Sequence, residues 1–233
     1  MFITFEGGEG TGKSTQILML ANRLRAQGID VIETREPGGT EEAEAIRQLF
    51  VSGEPGKWTS SEELLLISAA RCSHIRKLIK PALEAGKTVL CDRYVDSTFV
   101  YQCLAGNAPV SLFNAIMADV VSAAIPERTI VLDLKPEIGI LRSRNRMAMF
   151  KIEAEKMAAA AVNEKSDILL HSAIGLASAA NEDRFEKMEI EFHRRVREGF
   201  LQIAQSNNQR FRVIDATPEA QVVADNVWLA VNG

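Results

Sequence analysis

Residues 2–15, FITFEGGEGTGKST, carry the pattern that decides the fold of this chain. The β-branched and aromatic residues at its start favour a buried strand, and the glycine-rich turn after them leads into an amphipathic run at 17–24. The spacing from Gly7 to Ser14 matches G-x-x-x-x-G-K-[ST], a loop whose glycines allow successive backbone N–H groups to point at phosphate oxygens. The stretch therefore predicts a strand, a phosphate-binding loop and a helix, in that order.

The phosphate-binding loop implies a nucleoside triphosphate ligand. The helix that begins near Lys13 adds the positive end of its dipole, and the lysine side chain is expected to reach the β- and γ-phosphates. The Ser14 hydroxyl is expected to bind Mg²⁺ beside them. The residues predicted to bind the triphosphate are Gly7, Gly8, Glu9, Gly10, Thr11, Gly12, Lys13, Ser14 and Thr15.

The composition narrows the class of protein. A chain of 233 residues suits one α/β domain over 1–233, and a net charge of −4 gives no overall attraction to nucleic acid or to anionic membranes. No apolar run approaches transmembrane length, and the first residues lead into a strand rather than a signal peptide. Cys72, Cys91 and Cys103 lack C-x-x-C spacing, which favours reduced thiols. We therefore expect a cytoplasmic protein with no nucleic-acid or membrane partner.

Strand and helix patterns alternate along the rest of the chain. Further strands are predicted at 30–34, 88–91, 128–134 and 212–215. Helical patterns run over 41–51, 60–85, 97–104, 110–124, 183–205 and 218–229, with Thr40 and either Ser60 or Ser61 as caps and an interruption near Pro81. This alternation predicts an α/β fold in which helices flank a five-stranded parallel sheet, with ligands at the carboxyl ends of the strands.

Basic residues follow several of these predicted strand ends. Arg35 follows the second strand, Asp92 and Arg93 follow the third, and three further arginines lie close together at 142–146. Phosphoryl transfer depends on positioning and on cationic stabilisation of the moving group, which these side chains can supply. A guanine-reading N-K-x-D motif is missing from the sequence, since residues 163–167 have the wrong spacing. A kinase for a small acceptor fits this pattern, and a regulatory or assembly ATPase remains an alternative.

Three longer segments together resemble bacterial thymidylate kinase: FEGGEGTGKSTQ at 5–16, TREPGGT at 34–40 and DRYVDST at 92–98. Shorter matches lie at 63–66, 69–71, 183–186 and 192–196, so that the similarity covers most of the chain except 147–182. The resemblance implies the P-loop nucleoside monophosphate kinase fold with a helical lid. It also implies transfer of the γ-phosphoryl group of ATP to dTMP with Mg²⁺, a step of dTTP biosynthesis, by a homodimer.

The resemblance also implies roles for individual residues. Glu9 resembles the carboxylate that accepts a hydrogen bond from the deoxyribose 3′-hydroxyl, and Arg93 the arginine that binds the dTMP phosphate. Asp92 resembles a carboxylate near Mg²⁺, and Arg71 an arginine that bonds the thymine base. The other acceptor-site residues implied in this way are Arg35, Pro37, Ile67, Ser97, Tyr101, Gln102 and Asp183.

Two of these positions carry a more specific expectation. Tyr101 is placed to crowd a ribose 2′-hydroxyl and so favour deoxyribose, and Gln102 is placed to bond the base edge. Both also discriminate between function classes, because an ATPase without a nucleotide acceptor has no need of a nucleoside pocket. The loop at 215–218 resembles the one beside the adenine of ATP.

The predicted lid covers about 140–184. No arginine or lysine precedes Lys13 within the phosphate-binding loop, and in family members of this type the lid supplies that charge. The resemblance therefore assigns catalysis to Lys13, Arg93, Arg142, Arg144 and Arg146, with one or two lid arginines delivered as the lid closes over ATP.

The sequence departs from the family pattern at two places. Ile67 stands where the family usually has a phenylalanine that stacks on thymine, which puts the base preference in question and keeps dUMP open as an acceptor. Residues 147–182 form an insertion whose alanine-rich stretch at 158–162 favours helix. It is either a helical elaboration of the lid or a segment without function.

Overall fold

The computed structural model describes residues 1–164 and 166–233, without the side chains of 162–164. Lys165, which belongs to the predicted insertion, lies outside the described residues. The strands are β1 (Phe2–Glu6), β2 (Val31–Arg35), β3 (Thr88–Asp92), β4 (Arg128–Asp133) and β5 (Phe211–Asp215). They form one parallel sheet in the order β2-β3-β1-β4-β5, which confirms the predicted five-stranded parallel sheet.

Helices cover both faces of this sheet. In the described residues the α-helices are α1 (Lys13–Arg25), α2 (Glu41–Val51), α3 (Ser60–His74), α4 (Lys80–Glu84), α5 (Val95–Thr98), α6 (Val110–Val120), α7 (Pro136–Glu164), α8 (Asp167–Ala180), α9 (Ile190–Ser206) and α10 (Ala220–Asn232), and π-helical segments lie at Ile75–Ile79 and Phe99–Leu104. Side chains alternate along a strand, so Ile3 and Phe5 pack against α1 and α10 while Phe2 packs against the helices on the other face. No helix in the described ranges combines the length and hydropathy needed to cross a membrane.

The caps explain where two helices begin. The Thr40 hydroxyl accepts a hydrogen bond from the Ala43 amide at 3.4 Å, as predicted. The cap of α3 is Thr59 rather than Ser60 or Ser61, because Thr59 and Glu62 form a reciprocal capping box. A π-helical turn at Ile75–Ile79 joins α3 to α4 just before Pro81, whose missing N–H interrupts the regular ladder.

Helix α9 begins later than the sequence predicts. The amphipathic pattern predicted a helix from Asp183, whereas the structure has turns up to Glu189 and a helix from Ile190. The buried Arg184 side chain explains the difference, because it bonds a backbone carbonyl at the end of α2 and a carboxylate on α3. These tertiary contacts hold the segment in a non-helical path.

The predicted insertion is helical. It comprises most of α7 together with α8, and Ser166 caps α8 by accepting a hydrogen bond from the Leu169 amide at 3.4 Å. The two helices pack against each other, with Ala154, Ala161 and Ala173 buried. Small side chains let helices approach closely, which explains why this stretch is rich in alanine.

Candidate active site

A cavity of about 430 Å³ lies where the segments after β1, β2 and β3 meet. The predicted site residues among its lining are Glu9, Gly10, Thr11, Gly12, Lys13, Ser14, Thr15, Arg35, Pro37, Ile67, Arg71, Asp92, Arg93, Ser97, Tyr101, Gln102 and Arg146. The parallel sheet brings them together, because the carboxyl ends of its strands share one edge. Gly7 and Gly8 lie in the same loop but outside the lining, as do Arg142, Arg144 and Asp183.

The phosphate-binding loop is held by its own lysine. Lys13 Nζ donates to the carbonyl oxygens of Gly8 at 2.9 Å and of Gly7 at 3.3 Å. Burial and the nearby Arg93 lower the pKa of Lys13 to about 8, so a bound anion would favour its charged form. Gly10 has a φ of +66°, and a Cβ there would come within 1.9 Å of the Gly139 carbonyl oxygen at the start of α7. Only glycine therefore allows the loop to lie this close to α7.

Two oxygen-bearing side chains meet beside this loop. The Ser14 hydroxyl donates to Asp92 Oδ2 at 2.7 Å. Hydroxyl and carboxylate oxygens are ligands that suit Mg²⁺, which usually takes few protein ligands and keeps water or phosphate oxygens in its other positions. The described residues contain no group of three or more His, Cys, Asp or Glu side chains that could hold a metal ion. The donors present therefore fit a magnesium ion shared with a phosphate better than a site built wholly of protein.

Arg93 is the centre of the charged part of the cavity. Its guanidinium donates to Glu9 Oε1 at 2.9 Å, to the Gly7 carbonyl oxygen at 2.9 Å and to Ser97 Oγ at 3.1 Å. The Tyr101 hydroxyl donates to the same Glu9 oxygen at 2.9 Å. The backbone of Arg93 has a φ of +65°, a strained conformation for a non-glycine residue of the kind found at functional sites.

The charge of Glu9 depends on these neighbours. Burial alone would raise the pKa of Glu9, but the positive charges of Arg93 and Lys13 lower it to about 2. The carboxylate is therefore ionised at neutral pH and able to accept a hydrogen bond from a hydroxyl group.

Glu6 lies behind the lining residue Ser97, and the sequence analysis missed it. It accepts hydrogen bonds from the Tyr94 amide at 2.9 Å and from the Ser97 hydroxyl, and its side chain is fully buried. Burial and the charge of Asp96 raise the pKa of Glu6 to about 8. The one signal in the sequence was an acidic residue at the end of a strand predicted to be buried.

Arg71 lines the cavity and is fixed in position by its hydrogen bonds. Its Nε donates to Glu36 Oε2 at 2.6 Å and its Nη2 to Thr98 Oγ1 at 2.8 Å, and only 1% of the residue is exposed. The other Glu36 oxygen contacts His74 Nδ1 at 2.9 Å. Glu36 and His74 were also missed, because their role depends on partners far away in the sequence.

The three arginines of α7 contact different parts of the molecule. Arg142 donates to the Ala216 carbonyl oxygen at 3.2 Å, in the loop that the resemblance places beside adenine. Arg144 donates to the Glu186 carbonyl oxygen at 3.2 Å, and Arg146 to Ser143 Oγ at 3.2 Å. Of the three, Arg146 lines the cavity. The catalytic roles of all three remain predictions.

Aromatic side chains form the outer wall of the cavity. The rings of Phe50 and Phe185 lie 5.3 Å apart between centroids, and Ile67 packs in the same cluster. Phe150 of α7 lines the cavity as well. The wall therefore has several aromatic rings although the residue at position 67 is aliphatic.

The predicted acceptor residue Asp183 lies outside the lining and bonds Lys187 at 3.1 Å. Its neighbour Glu182 lines the cavity instead and forms an ion pair with Arg47 at 2.7 Å. Arg47 also donates to the Pro37 carbonyl oxygen at 2.9 Å. The segment after α8 is thereby attached to the loop after β2.

Comparisons with known proteins agree with this geometry. Residues 5–169 match the family model described as thymidylate kinase. A thymidylate kinase of Caulobacter vibrioides is 44% identical over 222 residues, covering 95% of this chain and 91% of the relative. One from Magnetococcus marinus is 41% identical, covering 100% and 95%. The crystal structure of thymidylate kinase from Ehrlichia chaffeensis superposes with a TM-score of 0.70 at 29% identity, covering 100% of this chain and 98% of that one.

Proposed function

Because this chain belongs to the thymidylate kinase family, we propose that it transfers the γ-phosphoryl group of ATP to dTMP, giving dTDP and ADP. The observation that supports this most directly is that one cavity is lined both by the phosphate-binding loop and by Arg71, Arg93 and Tyr101. A hydrolase that acts on ATP alone would have no use for the second group of residues.

The chemistry needs little beyond positioning and charge. A phosphate oxygen of dTMP attacks the γ-phosphorus, and the bond from that phosphorus to the bridging β–γ oxygen breaks as ADP leaves. Lys13 and the loop amides bind the ATP phosphates, and Arg93 binds the acceptor phosphate. Negative charge on the transferred group is stabilised by these cations together with the α7 arginines, of which Arg146 already lines the cavity.

Different side chains bind the sugar of the acceptor and the metal ion. The ionised Glu9 carboxylate accepts the 3′-hydroxyl hydrogen bond, and Tyr101, whose hydroxyl bonds the same carboxylate, crowds a 2′-hydroxyl and so favours deoxyribose. Ser14 and Asp92 would hold Mg²⁺, which when bound neutralises phosphate charge. Family membership is also the basis for proposing a homodimer whose lid, about residues 140–184 of a single domain, closes over ATP. The composition is the basis for proposing a cytoplasmic location.

A second acceptor, dUMP, is favoured by one feature. Ile67 lies where the family usually has the ring that stacks on thymine, and it packs with Phe50 in the outer wall. A wall of this kind discriminates a single methyl group by about 1–3 kcal/mol at most. We therefore expect dUMP to be a poorer acceptor rather than an excluded one.

The proposal is tested by measuring ADP formation with ATP and Mg²⁺, alone and with each of dTMP, dUMP, ribothymidine monophosphate, dCMP and dGMP. We expect turnover to depend on the acceptor and kcat/KM to be highest for dTMP. ADP formation that is the same with and without every acceptor would overturn the kinase proposal. A higher kcat/KM for another monophosphate would keep the kinase and change its substrate.

A further inference from the structure

Gln102 lines the cavity, and of the two polar groups of its side-chain amide only the NH₂ group is hydrogen-bonded. The residue is 1% exposed and belongs to the cavity lining. Its Nε2 donates to Glu63 Oε2 at 2.9 Å, whereas its Oε1 is buried and has no hydrogen-bond partner among the described residues. A buried carbonyl oxygen without a partner is costly, which points to a donor that is supplied from outside the chain.

Glu63 decides which half of the amide is free. Its other carboxylate oxygen accepts a hydrogen bond from Arg184, and both residues are buried. A carboxylate paired with a guanidinium can only accept hydrogen bonds, so Gln102 must turn its NH₂ group towards Glu63. The reverse orientation would place the Gln102 carbonyl oxygen against Glu63 Oε2 and leave these two oxygen atoms without a donor.

Arg184 is itself held in place by Phe50 and Phe185 of the outer wall. It donates to the Phe50 carbonyl oxygen at 2.8 Å, and its guanidinium lies 5.2 Å from the centre of the Phe185 ring. This arginine belongs to the segment that follows α8, where tertiary contacts replace the predicted helix. The orientation of Gln102 therefore depends on how that segment lies against α2 and α3.

We propose that Glu63 and Arg184 are positioning residues that fix the Gln102 carbonyl oxygen towards the acceptor base, so that the site selects pyrimidine monophosphates carrying an imide N–H. This inference rests on the proposed function and deepens it. Thymine and uracil present a hydrogen at N3 that can bond this oxygen. Cytosine presents a lone pair at N3 and would leave the carbonyl oxygen unpaired and repelled, a mismatch that buried polar groups discriminate strongly.

The test uses Glu63→Gln, which keeps the shape of the side chain and removes its charge. A neutral amide at 63 can bond either half of Gln102, so Gln102 becomes free to offer its NH₂ group to cytosine. We expect the ratio of kcat/KM for dTMP over dCMP to fall by at least about tenfold. The ratio for dTMP over dUMP, both of which carry the imide N–H, and the KM for ATP should stay at their wild-type values.

Two controls separate positioning from general damage. Glu137→Gln breaks an ion pair with Arg194 on the protein surface, outside the cavity lining, and should change none of these ratios. Arg184→Met should lower the dTMP-to-dCMP ratio as Glu63→Gln does, whereas Arg184→Lys should restore it by pairing with Glu63 again. If all acceptors lose activity together, or if the ratio does not change, the positioning role is wrong.

Calorimetry in the absence of ATP measures the dissociation constants of dTMP, dUMP and dCMP, and the ratios of these constants are compared in the same way. Wild-type protein that binds dTMP more tightly than dCMP, with this preference lowered in Glu63→Gln and Arg184→Met, but that transfers no phosphoryl group would overturn the proposed function and support the positioning role. Wild-type protein that transfers the group to dTMP, with unchanged ratios in Glu63→Gln and Arg184→Met, would support the proposed function and overturn the positioning role.

Discussion

The two ends of the cavity are built in different ways. At the phosphate end, Glu9, Lys13 and Arg93 follow neighbouring strands and bond one another or the backbone of the loop. At the outer end, the walls come from α2, α7 and the segment after α8, and Arg47 and Glu182 join parts of the chain that are far apart in sequence. Sheet register therefore places the charged side chains, while the packing of α2 and of the inserted helices shapes the other end of the cavity.

The largest effect is expected from a substitution at the phosphate end of the cavity. Arg93→Ala removes the cation that contacts Glu9, Ser97 and the loop, and we expect kcat/KM for dTMP to fall by at least about a thousandfold. The dissociation constant of ATP should change little, because Lys13 and the loop amides remain. Steady-state kinetics and calorimetric titration measure the two quantities. Arg212→Ala, outside the cavity lining, is the matched control, and a wild-type rate in Arg93→Ala would remove Arg93 from the acceptor site.

A smaller effect concerns Glu186, which lines the cavity and interacts with the charge of Glu9 at the phosphate end. Glu186 accepts a hydrogen bond from Ser143 Oγ at 2.8 Å, and burial together with the charge of Glu9 raises its pKa to about 7. The folded state therefore holds a proton that the unfolded state releases near pH 4.5, and the free energy of unfolding falls as the pH rises from about 5 to 8. Glu186→Gln keeps the acceptor oxygen and removes this titration.

Urea unfolding at pH 5 and pH 8 measures the difference between the two proteins. We expect the stability of Glu186→Gln relative to wild type to increase between these pH values, by an amount on the order of 3 kcal/mol. Glu6 also has a raised pKa but is present in both proteins, so its contribution cancels. A relative stability that is the same at both pH values would show that Glu186 is ionised in the folded state throughout this range.

The smallest effect is expected from a substitution at the outer end of the cavity. Glu182→Gln weakens the ion pair with Arg47, which is partly exposed, and should cost about 1 kcal/mol. We expect faster amide hydrogen exchange in α8 and no change in the strands, measured by mass spectrometry. Asp183→Asn breaks the more exposed pair with Lys187 and is the control. Equal exchange in α8 for wild type and Glu182→Gln would mean that other contacts hold the helix in place.

The sheet and the phosphate-binding loop could be predicted from the sequence because their signals are local. Glycine spacing and short β-branched runs act within a few residues, and the carboxyl ends of parallel strands converge by topology. Glu6 and Glu36 could not be predicted, because the role of a buried carboxyl group depends on its partners, here Ser97 and Arg71, and these lie far away in the sequence. The start of α9 was predicted wrongly for the same reason, since the contacts of Arg184 outweigh local helical periodicity.

The outer wall shows a second limit of sequence reasoning. Comparison of single positions indicated the loss of a ring at Ile67, but it could not show that Phe50 and Phe185 pack around that position. Packing is a property of the cluster, and a cluster tolerates exchange of its members as long as the volume is conserved.

The chain passes from the cavity into the pair of helices α7 and α8, and it comes back to the same cavity at the end of α8. Met147 and Phe150 line the cavity on the way out, and Ala179 and Glu182 line it on the way back. Because its entry and exit are neighbours, the length of the chain between them is free to change by whole helical turns without displacing the residues that line the cavity. Evolution, or a protein engineer, can therefore extend or shorten the enzyme here while the pocket that it serves keeps its shape.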